Sequence, residues 1–169
     1  QQGLTFEVVF VNDASTDSSL QILSNLKDER VAVLSFDENK GVSNARNTGA
    51  KYSRANWLCF MDSDDVLVPG MLAEYFNCVR YASSGWGYSS IEIINESEQK
   101  LGVRMGLSFD IVHHLNCNII SNLYIIQKDL FYIVGGYDPA YSTASDYDLN
   151  LRLLEYADPL YFPKVTLLY

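Results

Sequence analysis

Trp57-Leu58-Cys59-Phe60-Met61-Asp62-Ser63-Asp64-Asp65 is an apolar run that stops in acid, and its reading decides the fold. The run Trp57 to Met61 has the length and composition of a buried strand. The acidic turn then stands at that strand's carboxyl end. The same order recurs upstream. Leu4 to Val11 reads as a buried strand closing on Asn12-Asp13-Ala14-Ser15-Thr16-Asp17, and Val31 to Phe36 as another. Three helices are expected among them. One presents Leu20, Leu23 and Leu26 on one face with Ile22 at its edge. A second follows Gly41, from about Val42 to Arg54. A third has Pro69 in its first turn and carries Met71, Leu72, Tyr75, Phe76 and Val79. Strand and helix alternation of this kind implies a parallel sheet covered by helices. Ligands of such sheets sit beyond the carboxyl ends of the strands, where both acidic clusters fall.

The second half reads differently. Tyr88 to Asn95, Gly102 to Gly106, Asn118 to Ile126 and Leu160 to Leu168 read as strands. Asp129 to Val134 and Asp146 to Tyr156 read as helices, the latter with Leu149, Leu153 and Leu154 as core candidates. With no repeat or flexible linker, the expectation is one α/β domain over residues 1–169, with a mixed, mainly parallel sheet. Its length suits a single core.

Composition removes several function classes. The 169 residues are 48% hydrophobic and 20% charged, as in an ordinary globular domain. The 12 basic and 21 acidic residues give a net charge of −9. Such a surface repels phosphate backbones and argues against nucleic acid and against a polybasic membrane anchor. A phosphorylated ligand stays possible through a bridging metal. The cysteines Cys59, Cys78 and Cys117 are widely spaced, so a reducing compartment with mostly buried free thiols is expected rather than a zinc site. No apolar run is long enough to span a bilayer. The opening Gln-Gln-Gly suggests a fragment.

Four places carry chemistry. Asp62 and Asp64 lie on one side of an extended backbone, and close carboxylates of this kind take Mg²⁺ or Mn²⁺ together with phosphate oxygens; helix capping is the alternative. Asp13 at another strand end is a candidate acceptor for a base N–H, while Ser15 and Thr16 are candidate helix caps. Arg46, between Gly41 and Gly49, offers a planar fork to a carbonyl, carboxylate or phosphate, or forms a structural ion pair. Asp146 in Ser145-Asp146-Tyr147-Asp148 is either a helix cap or a general base facing the crevice. His113 and His114 have no metal-ligand spacing around them and read as structural or surface residues.

Together, VNDASTDSS (11–19), GVSNARNTGA (41–50), FMDSDDVLVPGML (60–72) and GGYDPAYSTASDYDLNLRL (135–153) resemble family 2 glycosyltransferases of the GT-A fold, in the family's order and spacing. The resemblance implies a Rossmann-like three-layer α/β/α nucleotide-diphospho-sugar transferase fold, with residues 1–85 as the nucleotide-binding half and 86–169 as the acceptor-side half. It implies inverting transfer of a sugar from a nucleotide-sugar donor, often a UDP-sugar, to a glycan or lipid-linked acceptor. By resemblance, Asp13 and Arg46 lie near the base, Asp62 contacts ribose, Asp64 binds Mn²⁺ or Mg²⁺, and Asp146 is the catalytic base. A cytoplasmic enzyme of polysaccharide biosynthesis, associated peripherally with the inner face of a membrane, is the corresponding expectation. Acceptor specificity is expected around Trp86, Tyr88, His113, His114 and Tyr141, with strand core as the alternative for Trp86 and Tyr88. Two departures stand out. The family's first strand, with its Pro-Thr-Tyr-Asn-like turn, has no counterpart here, and Ser145 replaces the Glu of the family's Glu-Asp pair. Two other readings compete: a haloacid-dehalogenase-like phosphohydrolase with Asp62 as nucleophile and Asp64 as acid/base, and a nucleotide- or glycan-binding domain without turnover. An EF-hand loop starting at Asp62 fails at Leu67 and Ala73.

Overall fold

The computed structural model describes residues 3–95, 97, 99–104, 108–120 and 123–169. In chain order, the first half runs β1 (Val8–Asn12), α1 (Ser19–Ser24), β2 (Val31–Ser35), α2 (Val42–Tyr52), β3 (Trp57–Cys59), β4 (Val66–Leu67) and α3 (Met71–Val79). The second half runs β5 (Trp86–Ile94), β6 (Lys100–Arg104), α4 (Ile111–Asn116), β7 (Tyr124–Gln127), α5 (Lys128–Ile133), α6 (Ser145–Leu154) and β8 (Leu160–Leu168).

These strands form two sheets. β1 and β2 pair in parallel, Val8 against Val31 through Asn12 against Ser35. The larger sheet has the order β3-β7-β5-β8-β4, with β6 also on β5. Only β5–β8 is parallel in it; β3–β7, β4–β8, β5–β6 and β5–β7 are antiparallel. The expectation of a mainly parallel sheet is corrected in this respect. Among the described residues β1 does not pair with β3, so the parallel β1–β2 ribbon stays apart from the larger sheet. Glu7 links them: its carboxylate accepts from the backbone N–H groups of Arg54 (2.6 Å) and Ala55 (3.1 Å), just ahead of β3.

The core belongs to the second half. Trp86, Tyr88, Tyr124, Ile126, Phe131, Tyr137, Leu149 and Leu153 form one buried cluster. β5, flanked by strands on both sides, is buried from Trp86 to Glu92, and its buried Ser89 and Ser90 hydroxyls hydrogen-bond those of Thr166 and Tyr161. Gly87 is required there, because a Cβ would stand 2.7 Å from the Leu160 carbonyl oxygen. The Tyr75 hydroxyl donates to the Gly87 carbonyl and pins α3 to the sheet.

Trp86 and Tyr88 are therefore core residues, not sugar platforms. The Trp86 indole donates to the Ala157 carbonyl at 2.9 Å, and Tyr88 stacks on Tyr161. The cysteines also depart from expectation: all three are free but exposed. Cys59 ends the edge strand β3, Cys78 lies on the outer side of α3, and Cys117 follows α4. α1 is shorter than expected and buries no residue. α4 and β4 were not foreseen, and Pro69 lies just before α3 rather than within it. The strand expected from Asn118 begins at Tyr124, with Ser121 and Asn122 outside the described residues. Met105 and Gly106, the end of the expected strand from Gly102, also lie outside them. No described helix is long and apolar enough to cross a membrane.

Candidate active site

Four sequence motifs converge at one end of the sheets. Asp13 follows β1 directly, and its carboxylate accepts from the backbone N–H groups of Lys40 (2.6 Å) and Gly41 (2.8 Å). Gly41 is the N-cap of α2, with φ 85°, so the anion sits at the positive end of that helix. Ser15 and Thr16 do not cap α1; Ser18 holds the N-cap position without a side-chain bond. A cavity of about 340 Å³ opens between the carboxyl end of β1 and α1, bordered by Phe10, Asn12, Ser15, Leu23 and Ser63.

α2 delivers Arg46 to the acidic turn. Its guanidinium donates to Asp62 and lies over the Tyr137 ring, 5.1 Å from the centroid. Tyr137 is 1% exposed, and its hydroxyl hydrogen-bonds that of Tyr124. Burial pushes the Tyr137 hydroxyl up to about 12 and Tyr124 well above its ordinary value, so both remain neutral at physiological pH. Asp146, in the first turn of α6, acts electrostatically on both tyrosines, as Arg46 does; Asp62 acts on Tyr137. Asp13, Arg46, Asp62 and Asp146 thus come from separate segments, and the last three share one electrostatic neighbourhood.

Asp65 shows the strain in the acidic turn. It is buried, and its Oδ2 has no hydrogen-bond partner. Burial first, then the charges of Asp62 and Asp64, push its carboxyl up to about 6 against the pull of Arg46. Asp64 is exposed beside it. Among the described residues no three His, Cys, Asp or Glu side chains enclose a metal cage. A closed cage is not required: Mg²⁺ and related ions are commonly held by one or two carboxylates plus substrate phosphates. An exposed carboxylate beside an unrelieved buried one fits such a cation.

Sequence reasoning missed two residues. Asn47, next to Arg46, grips the Tyr137 backbone with both ends of its carboxamide. Tyr137 itself stood only within the 135–153 motif, with no role assigned to it. The signal for both was present, in ARN and GGY, but their pairing spans 90 positions. Of the acceptor candidates, His114 is wholly buried, while His113 and Tyr141 are exposed. Asp148, not Asp146, pairs with Arg152, which leaves Asp146 without an ion pair among the described residues.

Residues 1–81 match the family model for Glycosyl transferase family 2. These residues belong to that family. Comparison with curated proteins extends the likeness across the chain. An uncharacterised glycosyltransferase of Haemophilus influenzae is 26% identical over 96% of this chain and 56% of its own length. The succinoglycan biosynthesis protein ExoO of Rhizobium meliloti is 30% identical over 56% of this chain and 27% of its own. WfgD of Escherichia coli, a UDP-Glc:α-D-GlcNAc-diphosphoundecaprenol β-1,3-glucosyltransferase, is 28% identical over 57% of this chain and 38% of its own. The chain thus spans from about a quarter to just over half the length of these relatives. In structure it resembles Staphylococcus aureus TarS residues 1–349 bound to UDP, with a TM-score of 0.76 at 20% identity over 97% of this chain and 51% of that one. The fold is the GT-A fold that the motifs implied. The family 2 match favours the glycosyltransferase reading over the haloacid dehalogenase one.

Proposed function

We propose that this domain is an inverting glycosyltransferase that moves a sugar from a nucleotide-sugar donor, a UDP-sugar in the first instance, to a glycan or lipid-linked acceptor in polysaccharide assembly. The observation that carries the reading is the convergence of Arg46, Asp62 and Asp146 on the buried Tyr124–Tyr137 pair. The UDP bound to TarS and the UDP-glucose in the name of WfgD support the donor class. The diphosphoundecaprenol in that name supports a lipid-linked acceptor, and with it action at the inner, cytoplasmic face of a membrane.

In this reading Asp13, Arg46 and Asp62 bind and orient the nucleotide. Asp64 holds Mn²⁺ or Mg²⁺. A bound divalent cation supplies neutralising charge for a departing nucleoside diphosphate. Asp146 takes the proton of the acceptor hydroxyl as that oxygen attacks the anomeric carbon. One protein carboxylate suffices, unlike the pair used in glycoside hydrolysis. The residue beside it is Ser145, so the base lacks the second carboxylate of a Glu-Asp pair. It lies in the first turn of α6.

Calorimetric titration of UDP, GDP, dTDP and CMP, each with and without Mn²⁺, tests the donor site. Metal-dependent binding of UDP is expected, and absence of binding by every nucleotide overturns the reading. Asp146→Asn is expected to keep nucleotide binding and to lose about 10²–10⁴-fold in transfer. Asp64→Ala with transfer near the wild-type rate in Mn²⁺ would remove the metal assignment. Nucleotide binding without any transfer would favour the binding-domain reading.

A further inference from the structure

We propose that Asn47 is a positioning residue, which fixes the backbone at Tyr137 and so sets where Asp146 stands relative to the Arg46–Asp62 pair; this rests on the transfer reaction proposed above. The Asn47 Nδ2 donates to the Tyr137 carbonyl at 2.7 Å, and the Tyr137 N–H donates to Asn47 Oδ1 at 2.9 Å. A carboxamide carries a donor and an acceptor side by side, so it can close this two-point clasp on the N–H and C=O of one residue. A carboxylate can only accept. The preceding residue is shaped for the clasp. Gly136 has φ 68°, and a Cβ on it would stand 2.8 Å from Asn47 Oδ1 and 3.1 Å from Phe131.

Successive residues of one helix grip different parts of Tyr137. Arg46 lies over its ring, Asn47 holds its backbone, and Tyr124 holds its hydroxyl. From there the chain runs through Asp138–Ala144, all exposed, before Ser145 is buried again at the start of α6. On the far side, Arg152 donates to the Val134 carbonyl and to Asp148, tying α6 back to the end of α5. The segment that delivers Asp146 is therefore pinned at its ends and unpacked between them. Asn47 sets its entry point from the same helix turn that presents Arg46 to the donor side.

The test uses Asn47→Asp and Asn47→Ala, read by transfer kinetics and by hydrogen exchange. At about pH 8 the Asn47→Asp carboxylate cannot donate to the Tyr137 carbonyl. We expect kcat to fall about tenfold or more, since small misplacements of a reacting group are costly. Donor KM and nucleotide affinity should stay within about threefold, because Asn47 makes neither the Asp13 contacts with Lys40 and Gly41 nor the Arg46–Asp62 bond. As pH falls towards about 5, the carboxyl regains a proton and the donor, and Asn47→Asp should recover relative to wild type at the same pH. Asn47→Ala should not recover. That reversal within one preparation excludes misfolding as the cause. In Asn47→Ala, exchange across residues 136–146 should rise about tenfold or more while β5 and β7 stay protected. Wild-type kcat in both variants, equal loss of kcat and nucleotide affinity, the same pH response in both, or unchanged exchange each overturns the proposal. If the wild type transfers no sugar, the function reading fails alone, and the exchange experiment still decides whether Asn47 holds this segment.

Discussion

The Arg46 guanidinium donates to the Asp62 carboxylate while its carbon lies 5.1 Å from the centre of the Tyr137 ring. One side chain therefore joins the acidic turn after β3 to the segment that leads into α6. The Arg46 side chain is 19% exposed and that of Asp62 36%, so water screens the carboxylate end of the pair.

Breaking that pair should cost modestly. Screening at Asp62 puts the Arg46–Asp62 coupling at about 1 kcal/mol, near the upper end for partly exposed pairs. A double-mutant cycle of Arg46→Leu and Asp62→Leu in urea denaturation measures it. A coupling indistinguishable from zero would make the contact geometric only. Arg46→Lys should recover little, because an ammonium cannot reproduce the planar stacking on Tyr137.

Asp65 should oppose folding at neutral pH. Its folded value of about 6 lies above the unfolded 3.8, so the native state binds the proton more tightly. The stability it contributes is present at low pH and is lost as pH rises from about 4 through about 6. Asp65→Asn should raise stability at pH 7.5 by up to about 3 kcal/mol, and much less near pH 4. Mn²⁺ should raise the wild-type melting temperature more at pH 7.5 than at pH 5. Thermal melts across pH, with and without metal, check both statements.

His114 should act in the opposite sense. It is wholly buried against Phe109 and Tyr147, its ring nitrogens have no hydrogen-bond partner, and burial holds its pKa below the ordinary 6.5. The unfolded chain therefore takes up the proton first, and stability falls as pH drops below about 6.5. Removing the ring's basicity with His114→Phe should flatten that part of the pH–stability curve. An unchanged slope would place the acid sensitivity elsewhere.

The β1–β2 ribbon should be the first part to open. α1 buries no residue, Leu20, Ile22 and Leu26 are exposed, and every residue of β1 before Asn12 is only half-buried. β5 by contrast is buried from Trp86 to Glu92. Native-state hydrogen exchange should show β1 and β2 amides opening at lower free energy than those of β5 and β7. Equal protection would mean that Glu7 and its partners couple the two sheets more tightly than their burial implies.

Much of this was legible in residue order. β2, β8, α2 and α5 lie where periodicity and glycine punctuation put them, because each is a local pattern with a clear start. α4 was not, since Ile111, Val112 and Leu115 face outward and give no core-facing stripe. Strand direction was misjudged in the larger sheet for a related reason. Apolar runs announce burial but not the direction of their neighbours, and β7 and β4 run opposite to the strands beside them. Trp86 and Tyr88 show the same limit: an aromatic residue on a strand looks alike to a sugar and to a core.

The sequence by itself determined the alternation of strands and helices in the first half, the acidic ends of β1 and β3, and the motifs that mark a family 2 glycosyltransferase, because these depend on neighbours a few residues apart. The tertiary structure alone decided that Arg46 pairs with Asp62, that Asn47 clasps Tyr137 across 90 positions, that Asp65 is buried without a partner, and that Asp146 shares the field of the buried tyrosines. These relationships depend on how helices and sheets pack, and a hydrogen bond between distant residues leaves no mark on the spacing of either one.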